Sequence, residues 1–174
     1  MRNNFEPSLK WVLEDEGGNN DDPVDHGGRT SRGITQREYD AWCHLHKSPS
    51  GDVWKATPET IQMIYFQQYW LPNCDPLPLG TDYAFFDMSV LFGPYRATIF
   101  MQEAVDVPAD GHFGVVTMQA VMAANPKVLI ESVTQKREAF YKAIERSNPS
   151  QIRFDRGWMN RAAAARTRAL AMVA

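Results

Sequence analysis

Cysteine, long apolar runs, internal repeats and strand patterning are all scarce in this 174-residue chain, and each shortage removes a class of protein. Two cysteines, Cys43 and Cys74, are too few for a disulfide-built scaffold and leave room for at most one bridge. No apolar run approaches the roughly eighteen residues that a membrane-spanning helix needs. The opening stretch MRNNFEPSLKWVLEDEGG is too polar and too interrupted for a secretory leader. Synthesis in a host cytoplasm without a signal peptide is therefore expected. Cys43, His44 and His46, even with His26 and His112 in reserve, lack a fourth ligand at a recognisable metal spacing. His44 and His46 are two apart, which puts them on different sides of a helix. No metal and no other cofactor is expected.

What is present describes an ordinary globular chain. It is 44% apolar and 22% charged, and long enough for one domain or for one domain of two lobes. The net charge of −3 conceals an asymmetry: residues 151–174 carry five arginines against Asp155 alone. Such a basic end offers a weak contact to anionic outer-membrane lipid or wall polymer. The competing reading is a solvated helix face, which the dispersal of the arginines around the helical wheel favours. Stable membrane insertion is not expected. Nucleic acid is not an expected partner either, given the acidic remainder and the lack of a binding motif.

Helical periodicity dominates. Phe5, Leu9, Val12 and Leu13 share a face, predicting a helix that runs into Glu16. Thr35 and Glu38 form a capping box for a second helix with Tyr39, Trp42 and Leu45 as its apolar stripe. Thr57-Pro58 opens a third, and the prolines from Pro72 to Pro78 break it. A fourth spans about 81–92 and stops at Gly93-Pro94, with a fifth reaching Val105. Thr117 starts a short helix, and Asn125-Pro126 caps a long one to Arg146. The last runs from Trp158 to Met172, with Trp158, Ala162, Ala165, Ala169 and Met172 on one face. At most a small hairpin between Val24 and Ile34 is expected. The fold class is mainly α.

One stretch concentrates chemistry: residues 16–35, EGGNNDDPVDHGGRTSRGIT. A carboxylate at a helix end, followed by glycines that fold tightly and allow a ligand close to the backbone, builds a cleft around one proton donor. Glu16 is the candidate; Glu14 and Asp15 are rivals, but no glycine follows them. Glu-Gly-Gly, Asp22-Pro23, Asp25, Gly27-Gly28, Thr30 and Gly33-Ile34-Thr35 resemble the signature of the family 108 glycoside hydrolases, N-acetylmuramidases of bacterial cell walls. Asn19 stands where that family usually carries an aromatic residue, and Asp21 where it usually carries Asn. Ile64-Tyr65, Tyr69-Trp70, Phe86-Asp87 and Gly93 extend the resemblance. Met101-Gln102, Asp110-Gly111-His112-Phe113-Gly114 and Thr117 look like a small peptidoglycan-binding module, with Phe154, Gly157-Trp158 and Asn160-Arg161 as its closing motif.

The resemblance implies a lysozyme-like helical fold of two packed lobes, with 1–92 the muramidase lobe and 93–174 a peptidoglycan-binding-like lobe. It implies cleavage of the β-1,4 bond between N-acetylmuramic acid and N-acetylglucosamine, with peptidoglycan glycan strands as partner. A monomer serving bacterial lysis by a phage, acting in the periplasm or on the wall after release, is expected. Glu16 is the expected general acid. The order Glu16, Asp25, Thr30 resembles phage-type lysozymes, whose Asp and Thr hold the attacking water, though there the last gap is one residue longer. Asp25 reads equally as a loop-tying side chain, Asp22 is its rival, and for Thr30 the structural reading is favoured. If Asp25 positions water, inversion follows, with the two carboxyls roughly 6.5–9.5 Å apart. Tyr65 or Tyr69 is expected to reach the sugar groove and Trp70 to be buried, while Asp87 is expected to anchor a helix by hydrogen bonds. A lytic transglycosylase, a non-catalytic wall-binding or secretion-assisting protein and, last, a zinc amidase are the competing readings.

Overall fold

Local capping chemistry accounts for most of the architecture in the computed structural model, which describes residues 4–21 and 28–173. Helix α1 (Phe5–Glu16) ends at the glycine pair, and α2 (Gln36–Leu45) begins on the full capping box of Thr35 and Glu38. Thr57 caps α3 (Pro58–Tyr65), accepting from the Thr60 N–H, with a proline in the first turn. The chain then widens into a π-helical segment, Phe66–Trp70, before the proline-rich turns. Helices α4 (Thr81–Phe92) and α5 (Pro94–Ala104) meet at Gly93. Helix α6 (Val115–Ala123) starts two residues before Thr117, and Asn125 caps the long α7 (Pro126–Ser147) through the N–H groups of Lys127 and Val128. A 3₁₀ segment, Pro149–Phe154, leads into α8 (Asp155–Met172).

The hairpin expectation is corrected by one strand. Three two-residue strands, β1 (Asn19–Asn20), β2 (Thr30–Ser31) and β3 (Ile34–Thr35), form an antiparallel sheet in that order. Asn20 pairs with Thr30, and Thr30 with Thr35. The segment directly after the Gly17-Gly18 turn carried no strand signal of its own, and it becomes a strand only by pairing with β2. Val24 lies outside the described residues. Helix α2 also departs from its expected stripe: Leu45 is 75% exposed, and Cys43 is the residue it buries.

One hydrophobic cluster runs from Phe5, Leu9 and Val12 through Trp70, Phe85 and Phe86 to Leu129, Val133, Ala165 and Ala169. Helix α4 is its axis, with every residue from Thr81 to Ser89 buried. Phe5 packs edge-on against Phe66 and Phe86, while Phe92 meets Phe100 and Phe140 in the same manner. The alanine face of α8 lets that helix approach closely, and Gly80 has no room for a Cβ because the Ala169 carbonyl would lie 2.3 Å from it. Trp158 stacks on Tyr141 of α7, and Phe154 stacks on Trp158 and stays 42% exposed. Cys43 and Cys74 are both buried free thiols. Among the described residues, no helix is long and apolar enough to cross a membrane.

Candidate active site

Glu16 is the last residue of α1, and its side chain retains 19% exposure. The chain leaves the helix through Gly17 at φ 76°, with the Gly17 N–H still bonded to the Leu13 carbonyl. The next carbonyl, Gly18, accepts from the Arg32 N–H at 3.0 Å, which folds the sheet back beneath the carboxyl group. Gly33 completes that floor. It holds φ +79°, and a Cβ there would stand 2.6 Å from Tyr65 Oη and 2.9 Å from Glu16 Oε2. Glu16 and Tyr65 thus converge over a residue that has room only for hydrogen. Gly33→Ala should cost about 1–3 kcal/mol through backbone strain alone, and activity should drop as Glu16 and Tyr65 are pushed aside. Chemical denaturation and glycan turnover measured together would check this, and wild-type values in both would refute it.

The two tyrosines have different fates. Tyr65 is completely buried, and its hydroxyl donates to the Arg32 carbonyl at 2.8 Å. Its ring has no face left for a sugar, so it anchors the Arg32-Gly33 turn. Of the two tyrosines expected to supply a groove contact, Tyr65 is the enclosed one, and Tyr69 is left as the candidate. Tyr69 is half-buried and donates to Glu38 Oε1 at 3.0 Å, while Glu38 Oε2 closes the α2 capping box. Burial, reinforced by Glu16 beside Tyr65 and by Glu38 beside Tyr69, pushes both phenols well above their ordinary value. Both remain neutral donors throughout the working pH range and add no negative charge near Glu16. Trp70 is buried, as expected.

Across from this floor stands Arg161 of α8. Its Nη1 lies 2.7 Å from Glu16 Oε1, as an ion pair and not an aligned hydrogen bond. Its other edge, Nε and Nη2, donates to Asp87 Oδ1 at 3.3 and 3.1 Å. Asp87 is fully buried on α4, and its Oδ2 accepts from Arg137 Nη1 of α7 at 2.6 Å. Burial pulls the Arg161 guanidinium down, but Asp87 and Glu16 more than offset this and hold it above its ordinary value. Glu14 and Asp15, the rivals of Glu16, are engaged elsewhere: both face Arg168, at 3.5 and 2.8 Å. Arg166 pairs with Glu131. Three of the five C-terminal arginines therefore face acids of α1, α4 or α7, which corrects the picture of a solvated basic helix face.

Thr30 lies on β2, where its hydroxyl donates to the Asn20 carbonyl at 3.3 Å. Its acceptor lone pairs remain available for a water. The Thr30 carbonyl accepts from the indole of Trp54, over whose ring Arg29 is stacked at 3.8 Å. Asp25 and its rival Asp22 lie outside the described residues, and so does the Glu16–Asp25 separation. Among the described residues, no group of three His, Cys, Asp or Glu side chains is placed to hold a metal ion.

Sequence reasoning had singled out Glu16, Thr30, Tyr65, Tyr69 and Asp87, but it gave Arg161 no place in the site. Asn160-Arg161 was legible as a motif. Nothing in helical spacing shows that this arginine reaches a carboxylate at the other end of the chain.

Residues 9–93 match the family model described as Glycosyl hydrolase 108, and residues 96–163 match one described as Predicted Peptidoglycan domain. No curated protein matches the chain. Among solved structures, SagA of Brucella abortus is similar at 33% identity with a TM-score of 0.84, covering 99% of this chain and 97% of that one. Likeness at that identity over nearly the whole of both chains, with the glycosidase model matched around Glu16, places this chain in glycosyl hydrolase family 108, as a glycoside hydrolase directed at peptidoglycan.

Proposed function

We propose that the protein hydrolyses the β-1,4 bond between N-acetylmuramic acid and N-acetylglucosamine, with Glu16 as general acid. The observation that carries this reading is the placement of Glu16: a carboxyl partly withdrawn from solvent at a helix end, yet open over the hydrogen-only floor of Gly33. Glycosidic cleavage requires a positioned acid to protonate the leaving oxygen as an oxocarbenium-like centre develops. Around that acid the chain supplies two neutral phenols and one guanidinium. The hydroxyl of Thr30 and the carboxylate of Asp25 are proposed to hold the attacking water, and the half-exposed ring of Tyr69 to border the sugar groove. The biological setting we propose is lysis of a bacterial wall by a phage, by a monomer reaching its substrate after release from the cytoplasm.

Mass spectrometry of digested peptidoglycan tests the reaction. Hydrolysis gives reducing muramic ends, heavier by one water than the anhydro ends of a lytic transglycosylase. Anhydro ends would transfer the reaction to that class, and wall binding without any new ends would make the protein a non-catalytic module. EDTA should leave the rate unchanged. In the same digest Asp25→Asn should release product far more slowly while wall binding and melting temperature stay near those of the parent protein. Unimpaired release would move the water to Thr30 or Asp22.

A further inference from the structure

The region matching the peptidoglycan domain reaches into the catalytic centre. Arg161 belongs to it, and among the described residues the carboxylates that its guanidinium meets are Glu16 and Asp87. The guanidinium is a rigid planar fork, so the two contacts constrain each other: with Nε and Nη2 fixed on Asp87, Nη1 has one place to point. Asp87 is itself fixed from the opposite side by Arg137, whose Nε donates to the Tyr141 hydroxyl at 2.9 Å. Side-chain exposures of 0% for Asp87, 3% for Arg137 and 15% for Arg161 place the cluster away from water. Asp87 alone does not neutralise the two arginines. Among the described residues Glu16 is the other carboxyl that meets either guanidinium, so the proposed acid is in direct contact with the buried cluster.

We propose that Asp87 is a positioning residue for the reaction: by holding the guanidinium of Arg161 it fixes the place of Glu16, and the C-terminal region thereby supplies part of the catalytic machinery. This rests on Glu16 being the acid of the proposed reaction. A brace that served only to join α4 to α7 and α8 would affect stability and turnover together. A positioning group affects turnover beyond its effect on stability, because a displacement of about 1 Å at a reacting group costs up to roughly a hundredfold in rate.

The test measures kcat, KM and melting temperature on soluble glycan chains for four variants, at a temperature where each is folded. Asp87→Asn keeps the shape and removes the charge. It should lower kcat by about tenfold to a hundredfold while KM stays within about threefold. Val121→Ala opens a cavity at the buried face of α6, a helix that carries no residue of the cluster, and serves as the stability control: its melting temperature falls, with kcat within about twofold of the parent. Arg161→Lys keeps the cation but has no fork, so it satisfies one carboxylate at a time. It should lower kcat by about tenfold or more, and it decides the matter should Asp87→Asn fail to fold. Glu16→Gln completes the set. If it loses activity while Asp87→Asn, or in its place Arg161→Lys, keeps kcat within about threefold, the positioning role is overturned alone. Losses of kcat that simply track melting temperature across Asp87→Asn and Val121→Ala overturn it as well. Full activity in Glu16→Gln would overturn the acid assignment and the positioning role with it.

Discussion

Glu16→Gln should lower the rate of glycan cleavage by ~10²–10⁴-fold, the range that a positioned general acid contributes. The substitution preserves shape and removes only the proton that reaches the leaving oxygen. Folding should survive. The side chain stands at a helix end with part of its surface in solvent, and the Arg161 guanidinium it abandons keeps Asp87 as its partner. A stability change of about 1 kcal/mol, typical of one polar contact, is the expected size. Release of reducing ends from purified wall, set beside a melting curve, measures both quantities. A variant retaining more than about a tenth of the parent rate would lose too little for a missing acid, and the role would pass to another group.

Truncation after Phe92 should abolish folding. Residues 1–92 match the glycosidase model almost alone, so this fragment would be active if the 1–92 and 93–174 regions were independent. Helix α4 argues against independence. It packs against α5, α7 and α8, with Phe92 on Phe100 of α5 and on Phe140 and Tyr141 of α7, while Phe85 packs against Phe113 in the segment before α6. Exposing a large apolar side chain costs about 1.5–3 kcal/mol, and several would be exposed at once. Asp87 would lose both arginines, and breaking a buried ion pair on one side costs about 3–5 kcal/mol. Against a total stability of about 5–15 kcal/mol for a domain, the fragment has no margin. Circular dichroism and thermal melting of the purified fragment would show this as the loss of a cooperative transition. A fragment that melted cooperatively and cut glycan at the full rate would refute the shared core.

The helices were legible because their boundaries are set by contacts only a few residues long. Thr35 with Glu38, Thr57 with Pro58, Gly93 with Pro94 and Asn125 with Pro126 each satisfy or remove orphan backbone groups within one turn, so short stretches of sequence suffice to place them. The position of Glu16 was legible for the same reason, being tied to its own helix end and to the glycines beside it. What depends on neighbours distant in sequence was not legible. Tyr65 and Tyr69 have equivalent patterns, and the approach of the Arg32-Gly33 turn is what encloses Tyr65 while Tyr69 stays partly exposed. Leu45 fits an apolar stripe, yet none of the described elements covers it. On a helical wheel Arg161, Arg166 and Arg168 look like solvated charges, because a wheel carries no record of which acids other helices bring to meet them. A carboxylate as deeply buried as Asp87 is tolerable only with its cations in place. Those cations arrive from α7 and α8 once the aromatic and alanine faces have packed, so the site at Glu16 is completed by the last helix of the chain.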